Sequence, residues 1–442
     1  MLVEFSVSNF RSIKDLQILS FSAAAINEHE PSHVFHATDK IKLLKSIAVY
    51  GANGSGKSNL VRAMWAMVNF IRAPFDERKN FEPQIRPFQL NTFSRNEGTF
   101  FQIIFVVDKK KFRYGFEYLK GKIISEWLFG TAEKKEINYF IRDIETIVIN
   151  RQYFKEGSGL EPRVHKEKLF LNVVFEFNGS IATTVRSYFE SITIIKSGNE
   201  IFEELQLRDY SNDFLKYDKN VILHFLKSAD ADIVDLTLNE NAGQTYLEKF
   251  GIDKNKKIES IGDFFNQFDG ESMAKDIVLS GRNFTDIPNN VISKRKLFDE
   301  HGTELGTVDL DFNEEASDGT KKMFAYSGIF SILIENGGVI VIDEFDARLH
   351  TMLIRAIVQL FNSSKNKSAQ LCFVTHDTNL LDKDLLRRDQ IYFAEKNTKG
   401  ETDIYSLADF KGIRNNDSIE KDYIKGKYGA IPFIKNLNSI FE

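Results

Sequence analysis

Hydrophobic and polar positions alternate with a period of two near the start of the chain. In "LVEFSVSNF", at residues 2–10, positions 3, 5 and 7 are apolar and the positions between them are polar, which predicts a half-buried strand. "LQILSFS" at 16–22 is predicted to be its antiparallel partner. "KSIAVY" at 45–50 is apolar almost throughout, as expected for a strand in the interior of a sheet.

The period becomes that of a helix after a glycine-rich segment at 51–58. Leu60, Met64, Val68 and Ile71 recur on one stripe, which predicts a helix. Between about 97 and 185 the chain is rich in predicted strands, and we interpret this part as an antiparallel β lobe. Its four apolar segments are "TFFQIIFVVD", "KFRYGFEYL", "KIISEWLF" and "LFLNVVFEFN".

The segment from about 186 to 300 has a different character. A helical stripe runs through Phe214, Val221, Ile222 and Phe225, and the remainder resembles loops, so a mainly helical insertion is expected. From 306 the pattern alternates between strands and helices again. The predicted elements are a strand, a helix over 318–335, a strand over 339–343, a helix over 350–362, a strand over 370–375 and a final hairpin around "KNTKGE".

These patterns predict an α/β protein in three parts. Residues 1–185 and 301–442 are expected to form the two halves of one α/β head, of which the first half carries the β lobe. Residues 186–300 are expected to form the helical insertion. With 442 residues, the chain can bury a large core and holds more than one lobe.

Composition narrows the function classes. The formal net charge is −5, so no overall positive field recruits nucleic acid. The single cysteine, Cys372, excludes an internal disulfide and a Cys/His metal cluster, and it fits a reducing cytoplasm. No apolar run reaches membrane-spanning length, so neither a membrane segment nor a membrane partner is expected.

The segment "GANGSGKS" at 51–58, hereafter the phosphate loop, has the pattern G-x-x-x-x-G-K-[ST] between a predicted strand and a predicted helix. Its glycines let backbone N–H groups converge on phosphate oxygens, and the following helix presents its positive end. Lys57 is expected to reach the terminal phosphates of ATP, and Ser58 to ligate Mg²⁺. The other expected contacts with the nucleotide are Asn53, Gly54, Ser55, Gly56 and Asn59.

Two later apolar strands end in polar residues suited to the same nucleotide. "VIVIDEFD" places Asp343 at a strand end as a Mg²⁺ ligand, and Glu344 next to it as the base that activates water. His376 ends "QLCFVTH", where it can sense the γ-phosphate. An acid pair after a strand also arises by chance, and a histidine at a strand end can simply cap a helix, so each assignment depends on the phosphate loop upstream.

The segment "EEASDGTKKM" at 314–323 opens another predicted helix. Ser317 suits the N-cap, Asp318 the first turn, and Gly319 a close approach of the backbone to a ligand. Such a helix start binds phosphate, although this stretch alone supports an ordinary capped helix equally well. Because the phosphate loop already supplies one helix N-terminus, we predict that the second serves the ATP of another copy in a homodimer.

The order of these motifs resembles the ABC-class ATPases, in the branch of the SMC, RecF and OLD proteins. The resemblance implies that residues 317–320 are the signature segment, which departs from the usual form at Asp318 and Thr320. It also implies that Arg11 and Ser12 in "SNFRS" approach the nucleotide. It further implies that 347–350 is a D-loop, and that Gln89 or, in its place, Gln102 is the glutamine near the metal.

Finer segments, above all "KGKYGAIP" near the end, resemble the bacterial RloA/AbiL-type stand-alone ATPases linked to abortive infection. This resemblance implies a nucleotide-gated dimeric switch that controls a separate toxin or nuclease. It is also compatible with the assembly of dimers into larger oligomers. Residues 377–442 are too few for an appended nuclease domain, so the effector is expected on another polypeptide. The alternative is a DNA-binding repair ATPase of the RecF or SMC type.

Overall fold

A computed structural model of the chain describes residues 1–75, 82–132, 135–197, 219–239, 290–413 and 418–432. The chain divides into two compact units. The first unit comprises residues 1–197, 336–346 and 355–442, and the second comprises 198–335 and 347–354. In the described part of the chain, no helix has both the length and the apolar character needed to cross a membrane.

The elements are numbered in chain order. The strands are β1 Leu2–Ser8, β2 Gln17–Ser20, β3 Val34–His36, β4 Lys42–Leu44, β5 Ser46–Tyr50, β6 Thr99–Val107, β7 Lys110–Leu119, β8 Lys122–Ala132, β9 Lys135–Arg142, β10 Ile147–Ile149, β11 Ile192–Ile195, β12 Ile233–Asn239, β13 Asn290–Phe298, β14 Glu304–Asp311, β15 Gly338–Ile342, β16 Ala369–Val374, β17 Ile391–Lys396 and β18 Thr402–Ser406. The α-helices are α1 Glu30–His33, α2 Lys57–Arg72, α3 Phe170–Glu176, α4 Ser180–Glu190, α5 Lys219–Ala229, α6 Phe312–Glu315, α7 Asp318–Asn336, α8 Thr351–Phe361 and α9 Ile419–Ile424.

A six-stranded sheet with the order β11-β15-β16-β5-β17-β18 forms the centre of the first unit. All pairs are parallel except β17 with β18. Every residue of β5 and β16 is buried, which explains their continuously apolar sequences. Because β15, β16 and β5 are adjacent and parallel, the segments that follow them meet at one edge of the sheet.

In a seven-stranded antiparallel sheet, with the order β10-β9-β8-β7-β6-β1-β2, strands β6 to β10 form the β lobe predicted for 97–185, and β1 and β2 extend the same sheet. Its buried face carries many aromatic rings, and one of them, Phe105 on β6, stacks on Tyr188 of α4 with ring centroids 4.0 Å apart. Gln370 on β16 joins this sheet to the central one, since its side chain accepts from the N–H of Leu2 and donates to the Leu2 carbonyl oxygen. The α/β fold class and its antiparallel β lobe are confirmed.

One predicted strand is wrong. "LFLNVVFEFN" at 169–178 contains the helix α3, not a strand. The carboxylate of buried Glu126 accepts hydrogen bonds from the N–H groups of Phe170 and Leu171, at 2.6 and 3.0 Å, and so satisfies amides at the start of the helix. The sequence signal was ambiguous because a short apolar run without a clear period suits either element.

The second unit contains the antiparallel sheet β12-β13-β14 and the helices α5, α6 and most of α7. On α5 the buried residues are Ile222, Leu223 and Leu226, whereas Val221 is 38% exposed, so the buried face is rotated from the predicted stripe. Phe214 lies outside the described residues. Most of the expected helical insertion, residues 198–218 and 240–289, also lies outside them, and its helical content stays a prediction.

Candidate functional site

The phosphate loop connects β5 to α2 in a conformation that requires glycine. Gly51 and Gly56 have φ angles of 156° and 107°, in the region that favours glycine. A Cβ atom on Gly51 would overlap the carbonyl oxygen of Ala394, and one on Gly56 would overlap the hydroxyl of Thr402. The glycines therefore allow the loop to lie directly against β17 and β18.

Lys57 begins α2 and is 4% exposed. Its Nζ donates to the carbonyl oxygens of Gly51 and Ala52, at 2.7 and 3.0 Å, so the ammonium group lies inside the phosphate loop. Burial lowers the pKa of Lys57 to about 8, although nearby carboxylates, first Asp343, act in the opposite direction. The buried hydroxyl of Ser55 has no hydrogen-bond partner among the described residues, and a phosphate oxygen would satisfy it.

Asp343 follows β15 and is 4% exposed. One of its carboxylate oxygens lies 3.2 Å from the hydroxyl of Ser58, and the other accepts from the hydroxyl of Ser197 at 2.7 Å. A hydroxyl and a carboxylate at this distance fit Mg²⁺, which prefers oxygen ligands. No sequence signal had pointed to Ser197, which lies just beyond the end of β11.

Glu344 is exposed and has a φ of 48°, which is uncommon for a residue other than glycine. A hydrogen bond on the following residue fixes the backbone here: the N–H of Phe345 donates to the carbonyl oxygen of Val374 at 2.9 Å. Such local strain is found where a turn must present a side chain. The acid pair is therefore held at the same sheet edge as the phosphate loop.

His376 follows β16, and its backbone N–H lies 3.3 Å from both carboxylate oxygens of Asp346. Partial burial, followed by the charge of Lys57, lowers the pKa of His376. Asp346 is the last residue of "VIVIDEFD". Its role as the acceptor for the backbone N–H of His376 was not predicted from the sequence.

Arg11 and Ser12 lie in the turn between β1 and β2, beside the start of α2. The hydroxyl of Ser12 accepts from Nδ2 of Asn59 at 2.7 Å, which links two predicted residues. Burial, followed by the charges of Arg62 and Arg86, lowers the pKa of Arg11 to about 10. Asn53 and Gly54 occupy the exposed tip of the phosphate loop.

The signature segment begins α7 in the second unit. Ser317 is its N-cap, because the Ser317 hydroxyl accepts from the N–H of Thr320 at 3.1 Å. Ser317 and Asp318 are exposed, and the Asp318 carboxylate lies 3.7 Å from the guanidinium of Arg348 in the predicted D-loop. A Cβ atom on Gly319 would lie 2.8 Å from the carbonyl oxygen of Arg348, so glycine allows these two segments to touch.

Neither candidate glutamine is hydrogen-bonded to Ser58 or Asp343 within the described residues. Gln89 is exposed, and its side chain donates to the carbonyl oxygen of Pro87 at 3.0 Å. Gln102 lies on β6, where its side-chain oxygen accepts from the indole of Trp127 at 3.2 Å. The choice between them stays a prediction.

Most of the chain matches a known protein family. The family described as "AAA domain, putative AbiEii toxin, Type IV TA system" matches residues 46–382. No curated protein matches the chain.

Three solved structures are similar in backbone. An SMC head bound to the C-terminal winged-helix domain of ScpA has 13% identity and a TM-score of 0.46, over 92% of this chain and 97% of that one. The SMC head domain from Thermotoga maritima has 13% identity and a TM-score of 0.40, over 92% and 98%. An SMC head with an extended coiled coil, bound to the C-terminal domain of ScpA derived from Pyrococcus furiosus, has 16% identity and a TM-score of 0.42, over 96% and 98%.

Proposed function

Because the chain belongs to that AAA-domain family of ATPases, we propose that it binds ATP with Mg²⁺ and hydrolyses it to ADP and phosphate. One observation carries the proposal. The hydroxyl of Ser58 in the phosphate loop and the carboxylate of Asp343 lie 3.2 Å apart, although 285 positions separate them in sequence. This pair, beside the ammonium of Lys57, provides the oxygen ligands and the positive charge that a nucleoside triphosphate with its metal requires.

Each residue at the sheet edge has a distinct part in binding. The backbone N–H groups of residues 53–59 would cradle the phosphates, and Lys57 would exchange its two carbonyl acceptors for phosphate oxygens. Bound Mg²⁺ would neutralise charge on the phosphates. Ser58 and Asp343 would hold it, while Arg11 and Ser12 would contact the nucleotide from the turn between β1 and β2.

Hydrolysis needs a base and an in-line water. Glu344 would accept a proton from the water as its oxygen attacks the γ-phosphorus, and the bond to the oxygen that bridges the β- and γ-phosphates would break, so that ADP leaves. His376 would donate a hydrogen bond from a ring N–H to the γ-phosphate. This imidazole would report whether that group is present.

The signature segment would complete the site of a second copy. Ser317 and Asp318 are exposed at the start of α7, where a phosphate of another subunit's ATP could accept hydrogen bonds from the helix N-terminus. Two ATP molecules would then join two subunits in a homodimer, and hydrolysis would release them. ATP would therefore act as a switch rather than as a metabolic substrate.

The switch is proposed to act in the cytoplasm as the sensor or regulator of an anti-phage abortive-infection system that controls a separate toxin or nuclease. The resemblance of the tail and the family description, which names an AbiEii toxin and a type IV toxin–antitoxin system, support this role. Co-purification from the native host tests the effector. Recovery of the chain without a toxin or nuclease, together with unchanged phage plating after its deletion, would contradict the role.

Two matched variants test the switch. Glu344→Gln keeps the shape of the side chain but removes the base, so it should accumulate as an ATP-bound dimer. Lys57→Ala removes the ammonium group inside the phosphate loop, so it should stay monomeric at any ATP concentration. Size-exclusion chromatography coupled to light scattering, with and without Mg²⁺ and ATP, measures both.

The reference for both variants is the wild-type protein with ADP, which should be monomeric. The dimeric switch is refuted if Glu344→Gln and Lys57→Ala have the same mass in ATP. ATP hydrolysis by the wild type without any change of mass would leave the ATPase assignment intact and remove the dimer.

A DNA-binding repair ATPase is the second candidate, and one surface favours it. The charges of Arg62 and Arg86 both act on Arg11, and Arg86 and Arg95 are exposed on the segment before β6. A phosphodiester backbone would match these guanidinium groups. Binding of duplex DNA that weakens steeply with salt, and that Arg86→Ala reduces, would favour this candidate over the effector switch.

A further inference from the structure

Thr402, the first residue of β18, lies beneath the phosphate loop and is 1% exposed. Its Oγ1 is 2.8 Å from the carbonyl oxygen of Ser55 and 2.8 Å from the hydroxyl of Ser12. Its backbone N–H also donates to the carbonyl oxygen of Ser12, at 2.8 Å. A residue near the C-terminal end of the fold thus touches both the phosphate loop and the turn that carries Arg11.

The Thr402 hydroxyl has one proton and two oxygens within hydrogen-bond distance, the Ser55 carbonyl oxygen and the Ser12 hydroxyl. The carbonyl oxygen of Ser55 can only accept, so the single proton of the Thr402 hydroxyl goes to it. Asn59 donates to the Ser12 hydroxyl at 2.7 Å, and the same Ser12 oxygen lies 2.8 Å from the Thr402 hydroxyl. The hydrogen bond from Thr402 to the Ser55 carbonyl oxygen acts on the peptide between Ser55 and Gly56.

The orientation of that peptide decides where the Gly56 amide points. In a trans peptide the C=O and N–H groups point in opposite directions. Because Thr402 holds the carbonyl oxygen of Ser55 on its own side, the N–H of Gly56 points away from Thr402. A side chain at position 56 would overlap the Thr402 hydroxyl, so the close approach depends on glycine.

The strand that carries Thr402 is anchored on both sides of it. The Nζ of Lys14 pairs with the carboxylate of Glu401 at 2.8 Å, and these side chains are only 26% and 12% exposed. The N–H of Ile404 donates to the side-chain oxygen of Gln17 at 2.6 Å. The Thr402 hydroxyl is therefore fixed relative to the turn between β1 and β2.

We propose that Thr402 is a positioning residue for nucleotide binding, whose hydroxyl holds the Ser55–Gly56 peptide with the Gly56 amide directed at the phosphates. The inference rests on the proposed ATP site and adds a residue from the C-terminal hairpin to it. Thr402 touches neither Asp343 nor Glu344 among the described contacts. Loss of its hydroxyl should thus weaken binding more than it slows the chemical step.

The test compares Thr402→Val, which keeps the shape but loses the hydroxyl, with Thr402→Ser, which keeps the hydroxyl. Titration with a fluorescent ATP analogue and steady-state hydrolysis are measured on the full chain. Thr402→Val should weaken affinity and raise KM about tenfold, the size of one buried hydrogen bond, with kcat changed less than about twofold. Thr402→Ser should restore most of the affinity.

Ser406→Ala is the matched control, because Ser406 lies on the same strand, is buried and donates to the carbonyl oxygen of Ile391. It should bind nucleotide as the wild type does. Wild-type affinity in Thr402→Val, or an equal loss in Thr402→Ser or Ser406→Ala, would overturn the proposal. A wild-type protein that binds no nucleotide would instead overturn the proposed function and this inference with it.

Discussion

Replacing Ser197 with alanine should weaken the use of Mg²⁺ without preventing nucleotide binding. The Ser197 hydroxyl donates to one oxygen of the nearly buried Asp343 carboxylate at 2.7 Å, while the other oxygen faces Ser58 at 3.2 Å. Hydrogen bonds to a charged group contribute about 1.5–3 kcal/mol. Because Asp343 keeps its contact with Ser58, we expect the loss of binding free energy for Mg²⁺ to lie near the lower end of this range. Such a loss raises the Mg²⁺ concentration that gives half-maximal hydrolysis by about tenfold.

The assay titrates Mg²⁺ at a fixed, saturating ATP concentration and measures phosphate release. Binding of the fluorescent ATP analogue in EDTA should be unchanged, because the hydroxyl acts through the carboxylate that holds the metal. Ser191→Ala is the control. Ser191 directly precedes β11, the strand that Ser197 follows, and its hydroxyl donates to the carbonyl oxygen of Tyr188 at 2.7 Å. The reasoning is refuted if half-maximal Mg²⁺ for Ser197→Ala stays within about twofold of the wild type.

Two further predictions concern buried charges. Nucleotide affinity should change little from about pH 7, where the terminal phosphate is already ionised, to about pH 8. It should fall above about pH 8, because burial lowers the pKa of Lys57 to about 8 and bound phosphates favour the ammonium form. Calorimetry in buffers of different ionisation enthalpy should then detect proton uptake on binding above pH 8, and constant affinity up to pH 9.5 would contradict this. Glu126→Ala should destabilise the first unit by about 3–5 kcal/mol, because it leaves the buried guanidinium of Arg142 without its carboxylate. Chemical denaturation measures this, with Glu136→Ala, which breaks a more exposed pair with Arg113, as the control that should change little.

The order of the motifs was enough to predict the head. The family match over residues 46–382 shows that the chain belongs to an AAA-domain family, and the α/β fold class is confirmed by the two sheets of the first unit. The phosphate loop and the strands before Asp343 and His376 were readable because each has a strong local pattern. Their meeting at one edge follows from parallel strands alone.

Residues that act across long sequence distances had no such signal. Ser197 and Thr402 are ordinary hydroxyl residues until the fold brings them to Asp343 and to the phosphate loop. The strand predicted at 169–178 failed for a related reason, because Glu126 from a distant strand satisfies the amides that begin α3. The periodicity of a short segment carries no information about a hydrogen-bond partner that lies far away in the sequence.

The family match also has a consequence for how this protein is divided for study. It begins at residue 46 and ends at 382, whereas β5 is paired on one side with β17, which begins at Ile391. A fragment cut at those limits would turn the strand that carries the phosphate loop into a sheet edge, and it would discard Ser12 and Thr402 below it. The boundary of sequence similarity is therefore not a folding boundary, and failure of such a fragment to bind ATP would say nothing about the intact protein.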